Sequence, residues 1–182
     1  GNEHDAVGYT SSISNKLYTA ADFKFNGSAE VKGTNAKDSY PMGLKATDFE
    51  NLSKNFTNVE FVVNDGYLKI NPRQVTLTSA SDSKAYDGKP LTNSTVIAST
   101  GENNGFVGTD GVVCNVTGTQ TEVGDSDNEF TYSAKGNTNL SNYQITSVFG
   151  KLTVSATAAE VFVTITENSK TVKYNGSEQS VT

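Results

Sequence analysis

One stretch of this chain is written twice. Residues 55–72, NFTNVEFVVNDGYLKINP, match residues 139–156, NLSNYQITSVFGKLTVSA, at a constant offset of 84: Asn58 with Asn142, Phe61 with Ile145, Gly66 with Gly150, Leu68 with Leu152 and Ile70 with Val154. Such a repeat constrains the fold strongly, because both copies must bury the same positions with the same local geometry. Val59, Phe61 and Val63 fall on one side of an extended chain, Tyr143 and Ile145 take that side in the second copy, and polar Glu60, Gln144 and Thr146 lie opposite. Each copy then meets a glycine and starts a second alternating run, which predicts a β-hairpin at Gly66 and at Gly150.

The match extends upstream. VKGTNA at 31–36 pairs with VTGTQT at 116–121, followed by Gly43 and Gly124 and then by Phe49 and Phe130. Three segments, VGYTSSISNKLY (7–18), VTLTSASDSKAY (75–86) and VFVTITENSKTVKY (161–174), open on alternating apolar and Thr positions and close on tyrosine. The expected organisation is a first, shortened module over 1–72, a complete second module over 73–158, and the opening strand and turn of a truncated third over 159–182. Between its tyrosine and its VxGT segment the first module has about 17 fewer residues than the second, so it lacks the excursion NSTVIASTGENNGFVGTDG. Tyr86-Asp87-Gly88 and Tyr174-Asn175-Gly176 predict tight turns, since Asp and Asn tolerate positive φ and glycine adopts it freely. Tyr86 is expected to end a strand and pack its ring inward.

Ser, Thr, Asn and Gly fill the gaps between short apolar groups, and helix-forming runs at 3.6-residue spacing are missing, so the fold class is all-β. A net charge of −6 with scattered Lys and Arg argues against a nucleic-acid partner. No apolar stretch is long enough to span a bilayer, and GNEHDAVGY does not read as a leader, so any export signal or anchor is expected outside this stretch and no membrane contact is assigned to it. The one cysteine, Cys114, alternates with valines in GVVCNVTG and reads as a small buried hydrophobe on a strand. His4, the one histidine, stands far from it in sequence, so a Cys/His nucleophile pair has little support.

The pattern SKAYDGKPLT … VTGTQTEVG … NLSNYQITSVFGKLTVSA, with DFENLSKNFTNVEFVVNDGYLKINP before it and KTVKYNGSEQSVT after it, resembles the YDG and MBG-type bacterial immunoglobulin-like repeats. That resemblance implies tandem antiparallel β-sandwich modules in a large adhesin-like protein anchored to the surface or wall of a Gram-positive bacterium, outside the cell. It implies neighbouring repeats of the same polypeptide as partners, and no enzymatic activity or cofactor. In the first module Thr19 and Ala20 stand where the pattern has Asp-Gly.

Asp125, Asp127 and Glu129 in GDSDNEF alternate and offer oxygen ligands to calcium, but Phe130 stands where an EF-hand loop needs glycine, and acidic turns usually face water. Thr47 and Glu50 have capping-box spacing, which allows one helical turn, whereas the matching NEFTYSAKGN alternates like a strand. An isopeptide bond between Lys and Asn has the residue types it needs but no spacing that selects a trio. The favoured function is a structural spacer that holds a distal binding region away from the cell. The alternative is an adhesive module that binds host glycan or protein through end loops at 93–111, with Phe106 as the candidate contact. The opening strand of the third module, with Val161, Val163 and Ile165, has no sheet of its own, so 161–182 is expected either to be disordered or to pair with an exposed edge of its own or a second chain, by strand exchange.

Overall fold

Alternation of side chains decides where strands form. In Arg73–Ser79, Val75 and Leu77 are each 1% exposed while Thr76 and Thr78 point away, and Lys151–Ser155 repeats the pattern with Leu152 and Val154 inside. In the computed structural model, which describes residues 2–181, this logic yields an all-β chain with fourteen short strands and three single-turn 3₁₀ segments. Before residue 71 come β1 (His4–Val7), β2 (Phe23–Phe25), β3 (Glu30–Gly33), β4 (Lys37–Pro41), β5 (Phe49–Asn51) and β6 (Tyr67–Ile70), joined as the antiparallel pairs β1·β3, β2·β5 and β4·β6. After Asn71 and Pro72 come β7 (Arg73–Ser79), β8 (Asp82–Ala85), β9 (Val96–Ala98), β10 (Val112–Val116), β11 (Gly124–Asp127), β12 (Phe130–Ala134), β13 (Tyr143–Val148) and β14 (Lys151–Ser155). These form sheets in the orders β9-β7-β13 and β8-β14-β11 and the pair β10·β12. Every pairing stays on one side of Asn71–Pro72.

Two features of this topology depart from expectation. The sheets are not wholly antiparallel: β7 runs parallel to β13, with Val75 opposite Ile145, and β8 runs parallel to β14. The expected hairpin at Gly150 is absent as well, because β13 and β14 belong to different sheets. Instead, the chain leaves one sheet at Val148 and enters the other at Lys151, while beside it β7 passes to β8 through Ala80 and Ser81 in the same direction. Gly150 therefore serves close approach rather than a turn: a Cβ there would stand 2.5 Å from the backbone of Ser79 and Ala80, and its φ is not positive. Buried polar groups tie the crossing. The hydroxyl of Ser79 donates to the Asn128 carbonyl (2.6 Å) and accepts from Gly150 N (3.0 Å), while Asn128 Nδ2 donates to the carbonyls of Ala80 and Asn93, both at 2.9 Å. Gly66 turns no hairpin either, because residues 57–66, which precede β6, form no ladder.

The core of the second group lies between sheet β9-β7-β13 and the pair β10·β12. Val75, Leu77, Phe130 and Tyr143 are buried there, with Ile145, Val116, Cys114 and Phe106 packed against them. A smaller cluster of Leu91, Leu152 and Val154 sits under the other sheet. Burying side chains like Leu77 and Leu152 stabilises the fold by about 1.5–3 kcal/mol each.

Some of the sequence matches are positional equivalents and others are not. Leu68 and Leu152 occupy the same place in the antiparallel pairs β4·β6 and β11·β14. Phe49 pairs with Phe25 as Phe130 pairs with Val116, and Asn26 N reaches the Asp48 carbonyl as Thr117 N reaches that of Glu129, both at 2.8 Å. The place of Gly118 is thus held by Gly27 and not by Gly33, which lies in the additional strand β3. Gly124 sits inside β11 opposite Val154, the position that Lys37 holds opposite Ile70, so Gly43 is not its counterpart.

The two groups touch through asparagines. Asn142, at the end of the 3₁₀ segment Leu140–Asn142, accepts from Ala36 N (2.7 Å) and donates from Nδ2 to Asn35 Oδ1 (3.0 Å), which Asn139 Nδ2 also approaches (3.3 Å). At 46–48, the segment expected to make a helical turn or a strand does both, as a 3₁₀ turn, Ala46–Asp48, runs directly into β5. The Asp48 carboxylate accepts from Lys45 N (2.8 Å), in place of the anticipated Thr47 and Glu50 box.

Candidate functional site

The two predicted turns share a geometry. Asp87 Oδ1 accepts from Lys89 N and Asn175 Oδ1 accepts from Ser177 N, each at 3.0 Å, and Gly88 (φ 75°) and Gly176 (φ 77°) take the left-handed conformation. Lys84 Nζ closes the first turn by donating to Asp87 Oδ1 (2.6 Å) and to the Lys89 carbonyl (2.5 Å). That hydrogen bond, with the one from Lys89 N, holds the Asp87 carboxyl below its ordinary range. The rings do not follow the expected path. Tyr86 is 37% exposed and Tyr174 is 95% exposed, whereas Tyr18 is the buried one of the three, its hydroxyl within 3.0 Å of both the Asp22 carbonyl and Asn51 Oδ1. Tyr86 is held through its backbone, whose N–H binds the Ser155 carbonyl.

The excursion at 93–111 is pinned along its length. Arg73 donates from Nε to the Gly105 carbonyl (2.8 Å) and from Nη2 to those of Gly101 (2.7 Å) and Asn104 (3.0 Å). Phe106 packs edge-on against Tyr143 with centroids 4.9 Å apart, and so lies against the core. The Tyr143 hydroxyl donates to Asp110 Oδ2 (2.5 Å) and accepts from Val107 N (3.2 Å). Burial, and then the Asp110 hydrogen bond, raise the Tyr143 phenol above its ordinary value.

Asp125 and Asp127 stand exposed on β11, Glu129 is exposed just beyond it, and Asp127 pairs with Lys151 at 3.1 Å. Among the described residues no group of three His, Cys, Asp or Glu side chains converges on a point that could hold a metal ion. Cys114 is half-buried on β10 against the main core, and burial raises its thiol above the ordinary value. His4 lies exposed on β1.

A groove of about 700 Å³ opens in the first group. Its floor is aromatic: Phe49 lies 5.6 Å from Phe61 and 5.3 Å from Tyr9, Phe23 lies 5.9 Å from Phe61, and Phe56 meets Tyr18 at 5.6 Å. The walls are two segments, residues 9–15 and 58–64. Val59, Phe61 and Val63 are half-buried while Glu60, Val62 and Asn64 are exposed, so 58–64 has the alternation of a strand. Among the described residues, neither 9–14 nor 57–64 makes a backbone–backbone hydrogen bond or joins a sheet. In the second group the corresponding strands, β7 and β13, are zipped directly together. Apart from the Tyr9 phenol, Glu60 is the one ionisable side chain on the walls, so the groove offers an aromatic floor and free backbone edges rather than a carboxylate pair.

The sequence reading did not single out this groove. Its signal was the clustering of aromatics, for five of the nine phenylalanines fall between residues 23 and 61. The fold brings Tyr9, Phe23, Phe49 and Phe61 together, and leaves Phe106, the acidic group at 125–129 and the two glycine turns outside that groove. Comparison with protein-family models, curated proteins and solved structures gives no match.

Proposed function

We propose that the chain is a spacer segment of a bacterial cell-surface, adhesin-like protein, in which successive immunoglobulin-like β modules, over 1–72 and 73–158 with a third opening at 159–182, set a distal binding region away from the cell wall. The observation that carries this reading is the joint. β6 ends at Ile70 and β7 starts at Arg73, so two residues separate the groups, one of them a proline, and Asn35 and Ala36 are hydrogen-bonded across the joint to Asn139 and Asn142. A short, conformationally restricted connection with lateral bonds transmits orientation from one unit to the next, as a stalk requires. The pinned state of 93–111 supports a structural role for that excursion as well. The resemblance to YDG and MBG-type repeats supplies the cellular setting and the Gram-positive assignment.

The test is functional. Copies of 73–158 are placed between a surface anchor and a reporter binding head, and capture of a large, bulky ligand is measured on living cells. Capture is expected to rise with the number of copies and to be unchanged by Glu102→Ala and Val107→Ser, two exposed positions on the excursion. Capture that is independent of copy number but abolished by those substitutions would instead make 93–111 the adhesive element.

A further inference from the structure

The chain carries a strand-like sequence without a sheet and a groove whose walls are unpaired. Val161, Phe162, Val163 and Ile165 are each at least 79% exposed, and no described residue beyond Ser155 belongs to a ladder. Residues 163–176, VTITENSKTVKYNG, align without gaps on 75–88, VTLTSASDSKAYDG, at an offset of 88, which places Val163 on Val75, Ile165 on Leu77 and Tyr174 on Tyr86. This is the sequence of β7 written again. In the second group β7 runs parallel to β13, with Val75 opposite Ile145 and Leu77 opposite Ser147. The offset of 84 places Phe61 on Ile145 and Val63 on Ser147. The counterpart of β13 is therefore the wall 58–64, which among the described residues makes no backbone–backbone hydrogen bond on either edge.

We propose that residues 161–166 of one copy of this chain insert into the aromatic groove of a second copy, pairing in parallel with residues 59–64. The register follows from the two offsets. Val163 falls opposite Phe61, Thr164 opposite Val62 and Ile165 opposite Val63, and Ile165 takes over the floor the role that Leu77 has in the core of the second group. The inserted backbone satisfies N–H and C=O groups of 59–64, and its apolar side chains cover Phe49 and Phe61. A second copy is the favoured occupant because the chain itself carries the β7-type sequence that this wall type pairs with, uncovered and outside every ladder among the described residues. Donor strand and groove are different surfaces, so the contact is head-to-tail and builds dimers and longer oligomers rather than an isologous pair.

Sedimentation of the full chain across a concentration series, in a Cys114→Ser background, reads this directly. Reversible association is expected, weakened at least about tenfold by Ile165→Asp. Residue 165 is exposed and outside every ladder, so that variant keeps its fold. A second reading fixes the location. Single-cysteine chains Val62→Cys and Thr164→Cys, mixed and mildly oxidised, are expected to give a mixed disulfide dimer that Lys69→Cys paired with Thr164→Cys does not. A chain that stays monomeric to about millimolar concentration, association unaffected by Ile165→Asp, or cross-linking no better than the Lys69→Cys control overturns the proposal. The joint and the spacer role stand or fall separately.

Discussion

At the scale of single residues, the firmest determinants are glycines and asparagines at the crossing between sheets. A Cβ on Gly150 would meet the Ser79 and Ala80 backbone at 2.5 Å, and one on Gly118 would meet Asn128 Cα at 2.5 Å. Backbone cannot move aside as a flexible side chain can, so Gly150→Ala is expected to cost about 2 kcal/mol or more in denaturant unfolding. Gly43→Ala, where φ is +83° but the space is open, should cost only about 1–2 kcal/mol. Asn128→Ala removes both donors that hold Ala80 and Asn93 and should cost about 1–3 kcal/mol. Titration offers a second check. The Thr19 N–H and hydroxyl hold the Asp22 carboxyl below its ordinary 3.8. A depressed carboxyl adds stability above the unfolded value and loses it as pH falls through the folded one, so unfolding monitored from about pH 5 to pH 2 should show a decline that Asp22→Asn flattens. The glycines themselves were visible in the sequence, but the reason for Gly150 was not. A glycine that turns the chain and one that admits a neighbouring backbone are spelled alike.

At the scale of elements, alternation made the strands legible and said little about their partners. Val75, Leu77, Leu152 and Val154 could be assigned to an inner face because the side-chain period of a strand is two. That β7 and β13 run parallel, and that β13 and β14 part into separate sheets, depends on contacts about seventy residues apart in the chain, as between Val75 and Ile145, which no local pattern encodes. The aromatic groove escaped notice for the same reason, since its walls, 9–15 and 58–64, come from opposite ends of the first group. Equivalence of position also does not mean equivalence of energy. Leu152 is 0% exposed, while Leu68, in the same place on β6, is only half-buried. Leu152→Ala is thus expected to cost about 2–5 kcal/mol, and Leu68→Ala clearly less, in parallel unfolding curves. On the excursion, Arg73→Ala removes three bonds to carbonyls at 101–105 and should speed amide exchange at Gly105, whose N–H binds the Gln74 carbonyl, while leaving Leu152 amide protection unchanged.

At the scale of the whole molecule, the joint between the groups decides how a stalk of such units would be oriented. Its asparagine contacts are only partly buried, so Asn142→Ala should change stability by about 1 kcal/mol or less yet widen the range of angles between the groups. The measurement that bears most directly on the spacer role is small-angle X-ray scattering from chains with increasing numbers of copies of residues 73–158. The proposed stalk requires the longest dimension to grow by an equal step with each added copy. A longest dimension that levels off while mass keeps rising would mean that the units fold back on one another, and would contradict it.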